Sequence, residues 1–270
     1  MTGADFAYIA AFLKQRSGLI ITQDKMYLLE TRLAAILRGN DLSSLTALVE
    51  ILRQPGAVAV KDQVVDAMTT NETSFFRDNH PFEALRKSII PGLIERRAAT
   101  RVLRIWSAAC STGQEPYSLA MTVLEAFPDL RGWDVKILAT DLDSDVLGKA
   151  QRGLYSADRM RNMSPQRLQT FFTEQRGRDG PCYEVIPELR ALITFKQLNL
   201  MHSLPMKGPM DAIFCRNVVI YFDKDTQREL FARIAQLQRP GDLLFLGHSE
   251  SLFKVSESYA PIGKTMYRRS

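Results

Sequence analysis

The chain of 270 residues has 35 basic against 30 acidic side chains, a formal net charge of +5, and 46% hydrophobic residues. This hydrophobic fraction is ordinary for a globular protein with a packed core, and charged residues interrupt its apolar runs too often for a membrane-spanning helix. Three cysteines and three histidines are scattered without a C-x-x-C pair, which argues against a zinc site or a disulfide framework and predicts a cytoplasmic protein without a metal.

The first part of the chain, to about residue 70, has helical spacing of apolar side chains and no strand pattern. Apolar residues recur at this spacing from Phe6 to Leu13, and Gly18 follows as a helix terminator. Further helices are predicted at about residues 25–37, after Ser44, and at 58–68. We therefore predict an all-helical N-terminal domain that, with a linker, covers residues 1–75.

A segment of unusual composition, TTNETSFFRD, follows at residues 69–78. Two adjacent phenylalanines, Phe75 and Phe76, precede Arg77, which is uncommon in a plain linker. The residues alone leave two interpretations open. Either the phenylalanines dock two domains while Asn71 and Thr73 cap a helix, or Asn71, Thr73 and Arg77 face a ligand crevice.

The most informative stretch is RVLRIWSAACSTGQEP at residues 101–116. An apolar run ending at Trp106 predicts a buried strand, the small residues after it a turn, and Pro116 the first turn of a helix. The next predicted strand leads to Asp141, a position where an acidic side chain commonly binds a ribose diol. Because the turn has one glycine, Gly113, it fits neither G-x-G-x-x-G nor a P-loop. The pattern indicates an adenosine-containing cofactor, and the alternative is an ordinary strand–turn–helix with an acidic residue there by chance.

Strands and helices alternate over the remainder of the chain. A helix is predicted after Asp143, to about residue 152, and turn residues within 153–192 predict a small antiparallel insertion. Later strands are predicted at residues 193–200, 210–215 and 242–247, a helix at 226–238, and a terminal hairpin at 259–267. This order predicts an α/β fold with a parallel sheet, helices on both faces and an antiparallel end, over residues 76–270.

Six motifs occur in one order: TTNETSFFRD, WSAACSTGQEPYS, ATDLD, LNL, FCRNVVIYF and GHSES. With them the chain resembles the chemotaxis receptor methyltransferase (CheR) family over almost its whole length. The resemblance implies a Rossmann-like class I methyltransferase sheet with a small antiparallel β insertion, preceded by the helical domain. It also implies S-adenosylmethionine as the cofactor, S-adenosylhomocysteine as the product, and methyl transfer to glutamate side chains on the cytoplasmic helices of chemoreceptors.

By the same resemblance, the cofactor-binding residues are Asn71, Thr73, Arg77, Glu115, Asp141, Asn199, Leu200, Arg216 and Asn217. Asp141 is expected to hold the ribose hydroxyls, and Arg77 and Tyr221 are expected to lie nearest the transferred methyl as catalytic residues. A glutamate carboxylate is ionised at neutral pH, with a reference pKa of about 4.3. No Ser-His-Asp or paired-acid machinery is therefore needed, and alignment of the reacting groups is expected to supply most of the rate.

The expected partner is the cytoplasmic domain of a chemoreceptor. Lys25 and Arg32 lie seven positions apart, along one edge of the second predicted helix, and the resemblance makes this helix a receptor-facing surface. Ordinary solvated charges are the alternative explanation. We expect a monomer that neither enters the membrane nor binds nucleic acid.

Two other functions compete with this one. A methyltransferase for amino groups or nucleic acids often has Asn/Asp-Pro-Pro-Tyr after its fourth strand, whereas residues 216–221 read RNVVIY. The chain also lacks a dense basic, aromatic patch for nucleic acid. The second alternative is a signalling module that binds the cofactor without catalysis, and the full set of predicted site residues argues against it.

Overall fold

The computed structural model describes residues 1–177 and 180–270, and contacts among them define two compact units. The first unit ends at Thr70 and also contains residues 199–203 and 221–230 from later in the chain. The second unit contains residues 71–198, 204–220 and 231–270. The sequence suggested a boundary at residue 75, whereas the first segment of this unit ends at Thr70. Two segments from later in the chain also belong to it. No helix in the described ranges is both long and apolar enough to cross a membrane.

Residues 1–70 fold into helices, as predicted. The helices are α1 (Gly3–Ser17), α2 (Met26–Gly39), α3 (Leu45–Arg53) and α4 (Val58–Met68), with a 3₁₀ turn at Gln23–Lys25. The start of α1 is a capping box, in which the side chains of Thr2 and Asp5 each accept the other residue's backbone N–H. The helix ends at Gly18, whose φ of 75° is a left-handed conformation that glycine adopts without strain.

Arg32, on α2, is tied to the end of α4. Its guanidinium donates hydrogen bonds to the carbonyl oxygens of Met68 (2.8 Å) and Thr69 (3.1 Å) and to Oγ1 of Thr70 (2.9 Å). The last carbonyl groups of a helix have no intrahelical partner, so a cationic side chain from another helix can satisfy them. Arg32 is therefore half-buried and held against α4, whereas Lys25, just before α2, is exposed.

The second unit is built on a seven-stranded sheet. The strands of the unit are β1 (Val102–Ala108), β2 (Asp134–Asp141), β3 (Leu154–Ser156), β4 (Phe172–Gly177), β5 (Gly180–Val185), β6 (Ile193–Gln197), β7 (Ala212–Cys215), β8 (Leu243–Leu246), β9 (Tyr259–Gly263) and β10 (Met266–Arg269). The large sheet has the order β6-β2-β1-β7-β8-β10-β9. Its first five strands pair in parallel, and the terminal hairpin of β9 and β10 is antiparallel. The predicted parallel sheet with an antiparallel end is confirmed.

Helices cover the central strands. They are α5 (His80–Ala84), α6 (Ile90–Arg96), α7 (Gln114–Ala126), α8 (Ser144–Arg152), α9 (Pro165–Phe171), α10 (Pro187–Arg190) and α11 (Lys224–Ala235), with a π-helical turn at Leu85–Ile89. Every residue of β7 and β8 is buried. Because side chains alternate between the two faces of a strand, both faces of the sheet centre must be covered.

The insertion forms the small antiparallel sheet that the turn residues predicted, in the order β3-β5-β4. The ring of Phe75 packs edge to face against Tyr155 (centroids 4.9 Å apart) and Phe172 (5.7 Å) beside this sheet. Phe76 packs in the same way on Phe82, at 5.3 Å. Both phenylalanines of the TTNETSFFRD segment therefore belong to the core of the second unit.

Candidate functional site

The turn between β1 and α7 has an unusual backbone. Positive φ values occur at Ala109 (59°), Ser111 (50°) and Gly113 (93°), a conformation that is uncommon for residues other than glycine and that concentrates at functional sites. A Cβ atom at position 113 would lie 2.8 Å from Cβ of Ala150 and 2.9 Å from the hydroxyl of Tyr155. The turn therefore requires glycine there both for its φ and for space.

Asp141, at the end of β2, holds this turn in place. Its Oδ2 accepts the N–H of Ser111 (2.8 Å), its Oδ1 accepts the N–H of Asp143 (3.0 Å), and only 7% of the residue is exposed. Burial raises the pKa of Asp141, and the N–H donors act in the opposite direction. An ionised carboxylate offers about four acceptor positions, so acceptor capacity remains for the hydroxyl groups of a ligand.

Asn71 lies at the same turn. Its Nδ2 donates to Oδ2 of Asp143 (2.8 Å), and its carbonyl oxygen accepts the hydroxyl of Ser111 (2.8 Å). Asn71 thus contacts the turn instead of capping a helix, and the structure brings it together with Asp141. Thr73, two residues further, is half-buried.

A buried ionic network lies beside the turn and is centred on Arg216, the residue after β7. The side chain of Arg216 is 1% exposed, and its guanidinium donates to Oε2 of Glu115 (3.0 Å) and Oδ2 of Asp78 (2.7 Å). It also donates to the carbonyl oxygen of Arg77 (2.9 Å), while Oε1 of Glu115 accepts the hydroxyl of Ser107 (2.8 Å). Paired charges of this kind are strong when all partners are present. Arg216 thereby fixes the backbone at Arg77.

Two further predicted residues belong to this unit. Arg77 is half-buried, and its Nη1 donates to the carbonyl oxygen of Glu72 at 2.9 Å. Asn217 follows Arg216 with a φ of 59° and starts the loop after β7. The contacts described above connect Asn71 to Asp141 through Ser111 and Asp143. A second set of contacts connects Arg77 to Glu115 through Arg216.

Three predicted residues belong by their contacts to the first unit: Asn199, Leu200 and Tyr221. There Nδ2 of Asn199 donates to the carbonyl oxygen of Arg16 (2.6 Å), and the N–H of Ile20 donates to the carbonyl oxygen of Tyr221 (3.0 Å). Leu200 is buried, with 7% of its surface exposed. That these residues join the others around one cofactor stays a prediction.

Sequence reasoning missed Glu250. Glu250 lies in the motif GHSES, and its carboxylate accepts hydrogen bonds from the backbone of the loop after β7. The available signal was an acid shortly after a buried strand, which is the signal that singled out Asp141. The motif ATDLD likewise contains Asp143, whose contact with Asn71 the sequence did not indicate.

Two family models match the chain. The model described as CheR methyltransferase, all-alpha domain, matches residues 4–69, and the model described as CheR methyltransferase, SAM binding domain, matches residues 71–268. The chain belongs to the CheR methyltransferase family. It is an S-adenosylmethionine-dependent methyltransferase, and the residues at the end of β2 fit that cofactor, because the buried carboxylate of Asp141 has acceptor positions that suit the hydroxyl groups of a ribose diol.

Relatives named as chemotaxis protein methyltransferases cover nearly the whole chain. Chemotaxis protein methyltransferase 1 of Pseudomonas aeruginosa is 42% identical over 262 residues, which span 95% of this chain and 93% of the relative. The chemotaxis protein methyltransferase of Escherichia coli is 35% identical over 272 residues, which span 100% of this chain and 92% of the relative. The likeness therefore extends over both CheR domains.

Proposed function

We propose that this chain transfers the methyl group of S-adenosylmethionine to glutamate side chains on the cytoplasmic helices of a chemoreceptor, giving glutamate methyl esters. The observation that carries the proposal is the buried carboxylate of Asp141 at the end of β2, held by the N–H groups of Ser111 and Asp143. It stands in a chain whose relatives in E. coli and P. aeruginosa are named chemotaxis protein methyltransferases.

The proposed cofactor site follows from the contacts in the second unit. Asp141 accepts the ribose hydroxyls, Asn71 contacts the same turn, and Thr73 is assigned to the site by the motif that it shares with Asn71. Glu115 belongs to the proposed site at the start of α7, where its carboxylate is paired with Arg216 and accepts the hydroxyl of Ser107. The guanidinium of Arg216 is held by Asp78 and Glu115, so its part is to hold the site together.

The proposed set also includes residues that the contacts do not yet test. Asn199, Leu200 and Asn217 complete the cofactor contacts. Arg77 and Tyr221 are the residues nearest the transferred methyl.

When bound, the cofactor supplies an electrophilic methyl group on a sulfonium. A glutamate oxygen of the receptor forms the new O–C bond as the C–S bond breaks, and the bonding pair stays on sulfur. No proton moves, because the attacking carboxylate is already ionised. The protein's task is therefore alignment, which can supply effective molarities of roughly 10⁵–10⁸ M. Arg77 orients the receptor carboxylate through a charge-assisted hydrogen bond. The carboxylate stays ionised and therefore nucleophilic.

The test is incorporation of labelled methyl into the receptor. Membranes that contain the organism's own receptors are incubated with the protein and labelled S-adenosylmethionine, and labelled receptor is treated with mild alkali. Methyl esters release labelled methanol under alkali, whereas methylated amino groups keep their label. Release of the label supports the proposal, and retention indicates an amino-group methyltransferase.

Two controls complete this test. A receptor whose methylated glutamates are replaced by alanine is expected to take up no label. S-adenosylhomocysteine binding is measured by calorimetry in parallel, since binding without incorporation would indicate a signalling module that lacks catalysis. We further propose that the protein acts in the cytoplasm as a monomer, and light scattering tests its oligomeric state.

A further inference from the structure

One acidic side chain fastens two loops at the carboxyl end of the sheet. Glu250 lies in the loop that follows β8, and 6% of its surface is exposed. Its Oε2 accepts the N–H groups of Gly247 (2.6 Å) and Asn217 (2.8 Å). Its Oε1 accepts those of Val218 (2.9 Å), Val219 (2.9 Å) and Ile220 (3.3 Å).

This arrangement gives acceptors to N–H donors at the start of a helical turn. The chain after Asn217 enters a 3₁₀ turn at Val219–Tyr221, and the first N–H groups of a helical turn lack intrahelical acceptors. Glu250 binds four consecutive N–H groups there, so one carboxylate determines the conformation of the loop. Burial raises the pKa of Glu250, while the backbone N–H donors favour its charged form.

Gly247 gives independent evidence that the two loops fit closely. A Cβ atom at this position would lie 2.6 Å from Nδ2 of Asn217, 2.7 Å from its backbone N and 2.7 Å from Oε2 of Glu250. Because real Cβ atoms do not approach backbone so closely, the contact between the loops requires glycine. Asn217 itself has a φ of 59°, a conformation that persists only when its surroundings hold it.

The loop held in this way starts with proposed site residues. Arg216 and Asn217 lie at its beginning, and Tyr221 follows Ile220 directly in the chain. Glu250 has no part in the chemistry assigned above, since its oxygens are occupied by five backbone donors. Its effect on a reaction must therefore pass through the loop.

We propose that Glu250 is a positioning residue for methyl transfer, which holds the loop from Arg216 to Tyr221 in the conformation that aligns the reacting groups. The proposal rests on the proposed function, because it assigns this loop to the transfer site. It predicts a loss in turnover that exceeds any loss of folded protein.

The test compares Glu250→Gln with Asp242→Asn in the full chain. Glutamine keeps the shape of the side chain but turns an NH₂ group toward backbone N–H donors, so the loop must shift. Asp242 is a matched control, because it is a buried acid immediately before β8 whose Oδ2 accepts the N–H of Arg239. For each protein, the number of S-adenosylhomocysteine sites, kcat and the KM for receptor are measured well below the unfolding temperature.

We expect Glu250→Gln to keep about one product-binding site per chain. Its kcat is expected to fall about tenfold or more at a nearly unchanged KM for receptor, because misplacing reacting groups by about 1 Å can cost about 100-fold. Asp242→Asn is expected to keep the wild-type kcat per folded molecule. A kcat for Glu250→Gln within about twofold of the wild type, or a loss that only parallels its folded fraction, overturns the proposal.

A second variant covers the case in which Glu250→Gln does not fold. Gly247→Ala acts on the same loop contact from its other side and is expected to lower kcat in the same way. Wild-type turnover by folded Gly247→Ala contradicts the proposal. If the wild type itself transfers no methyl to receptor, the proposed function fails and the role of Glu250 fails with it. If the wild type is active and only the variants depart from expectation, the role of Glu250 alone fails. The wild-type rate therefore distinguishes the two failures.

Discussion

Replacing Asp141 tests the cofactor site most directly. In the folded protein its carboxylate accepts the N–H groups of Ser111 and Asp143, at 2.8 and 3.0 Å, in a position that is 7% exposed. Asp141→Ala therefore removes the proposed ribose acceptor and, in the same step, leaves two buried donors without partners. The structure therefore predicts a loss of stability together with the loss of cofactor binding.

The two effects have different sizes. An unsatisfied buried donor costs about 1–3 kcal/mol, so Asp141→Ala is expected to lower the free energy of unfolding by about 2–6 kcal/mol. Loss of the hydrogen bonds to the ribose is expected to cost about 1–3 kcal/mol of binding, which weakens affinity about 5–150-fold. Asp141→Asn keeps the side-chain shape and one acceptor oxygen, so we expect intermediate effects and use this variant for the binding measurement.

The assay is calorimetric titration with S-adenosylhomocysteine, together with urea unfolding of each protein. Asp211→Asn is the matched control, because Asp211 is a buried acid that accepts the N–H of Arg104 (2.8 Å) and Nε–H of Arg97 (2.6 Å). It precedes β7, at the end of the sheet opposite to Asp141. We expect the control to lose stability and keep affinity. If folded Asp141→Asn binds the product as tightly as the wild type does, Asp141 is not the ribose acceptor.

Three other outcomes are expected. Gly18→Ala should lower the free energy of unfolding by about 2–5 kcal/mol in urea, because left-handed φ costs about 1–2 kcal/mol and crowding about 1–3. Its new Cβ would lie 2.9 Å from the ring of Phe222, whereas Gly39→Ala, with nothing within 4 Å, should not destabilise; equal effects would contradict this. Arg32→Ala should cost about 1–3 kcal/mol through unpaired carbonyl groups, while Lys25→Glu should spare stability and slow receptor methylation at low salt more than at high salt; the reverse pattern would refute both. S-adenosylhomocysteine should bind at least as tightly as S-adenosylmethionine in calorimetry, since none of the carboxylates described above is assigned to the sulfonium, and a product affinity about tenfold weaker, or about 1.4 kcal/mol, would indicate an unrecognised carboxylate.

The sequence by itself determined the order of the domains and the type of each. Helical spacing before residue 70 and buried strand patterns after it are local signals, and local patterns of polar and apolar residues largely decide secondary structure. The turn at Gly113 and the acidic residue Asp141 could also be predicted from the sequence, because a strand, a turn and a helix follow each other directly in the chain. These signals were enough to predict a ligand-binding edge of the sheet at the end of β2.

Only the tertiary structure decided which polar side chains hold the site together. Arg216 and Glu115 are separated by 101 residues, and Glu250 and Asn217 by 33, so no window of sequence contains both partners. A buried charge or N–H group is satisfied by whichever partner the fold brings to it. Arg32 reads as a surface cation in the sequence and is a cap on α4 in the structure for the same reason.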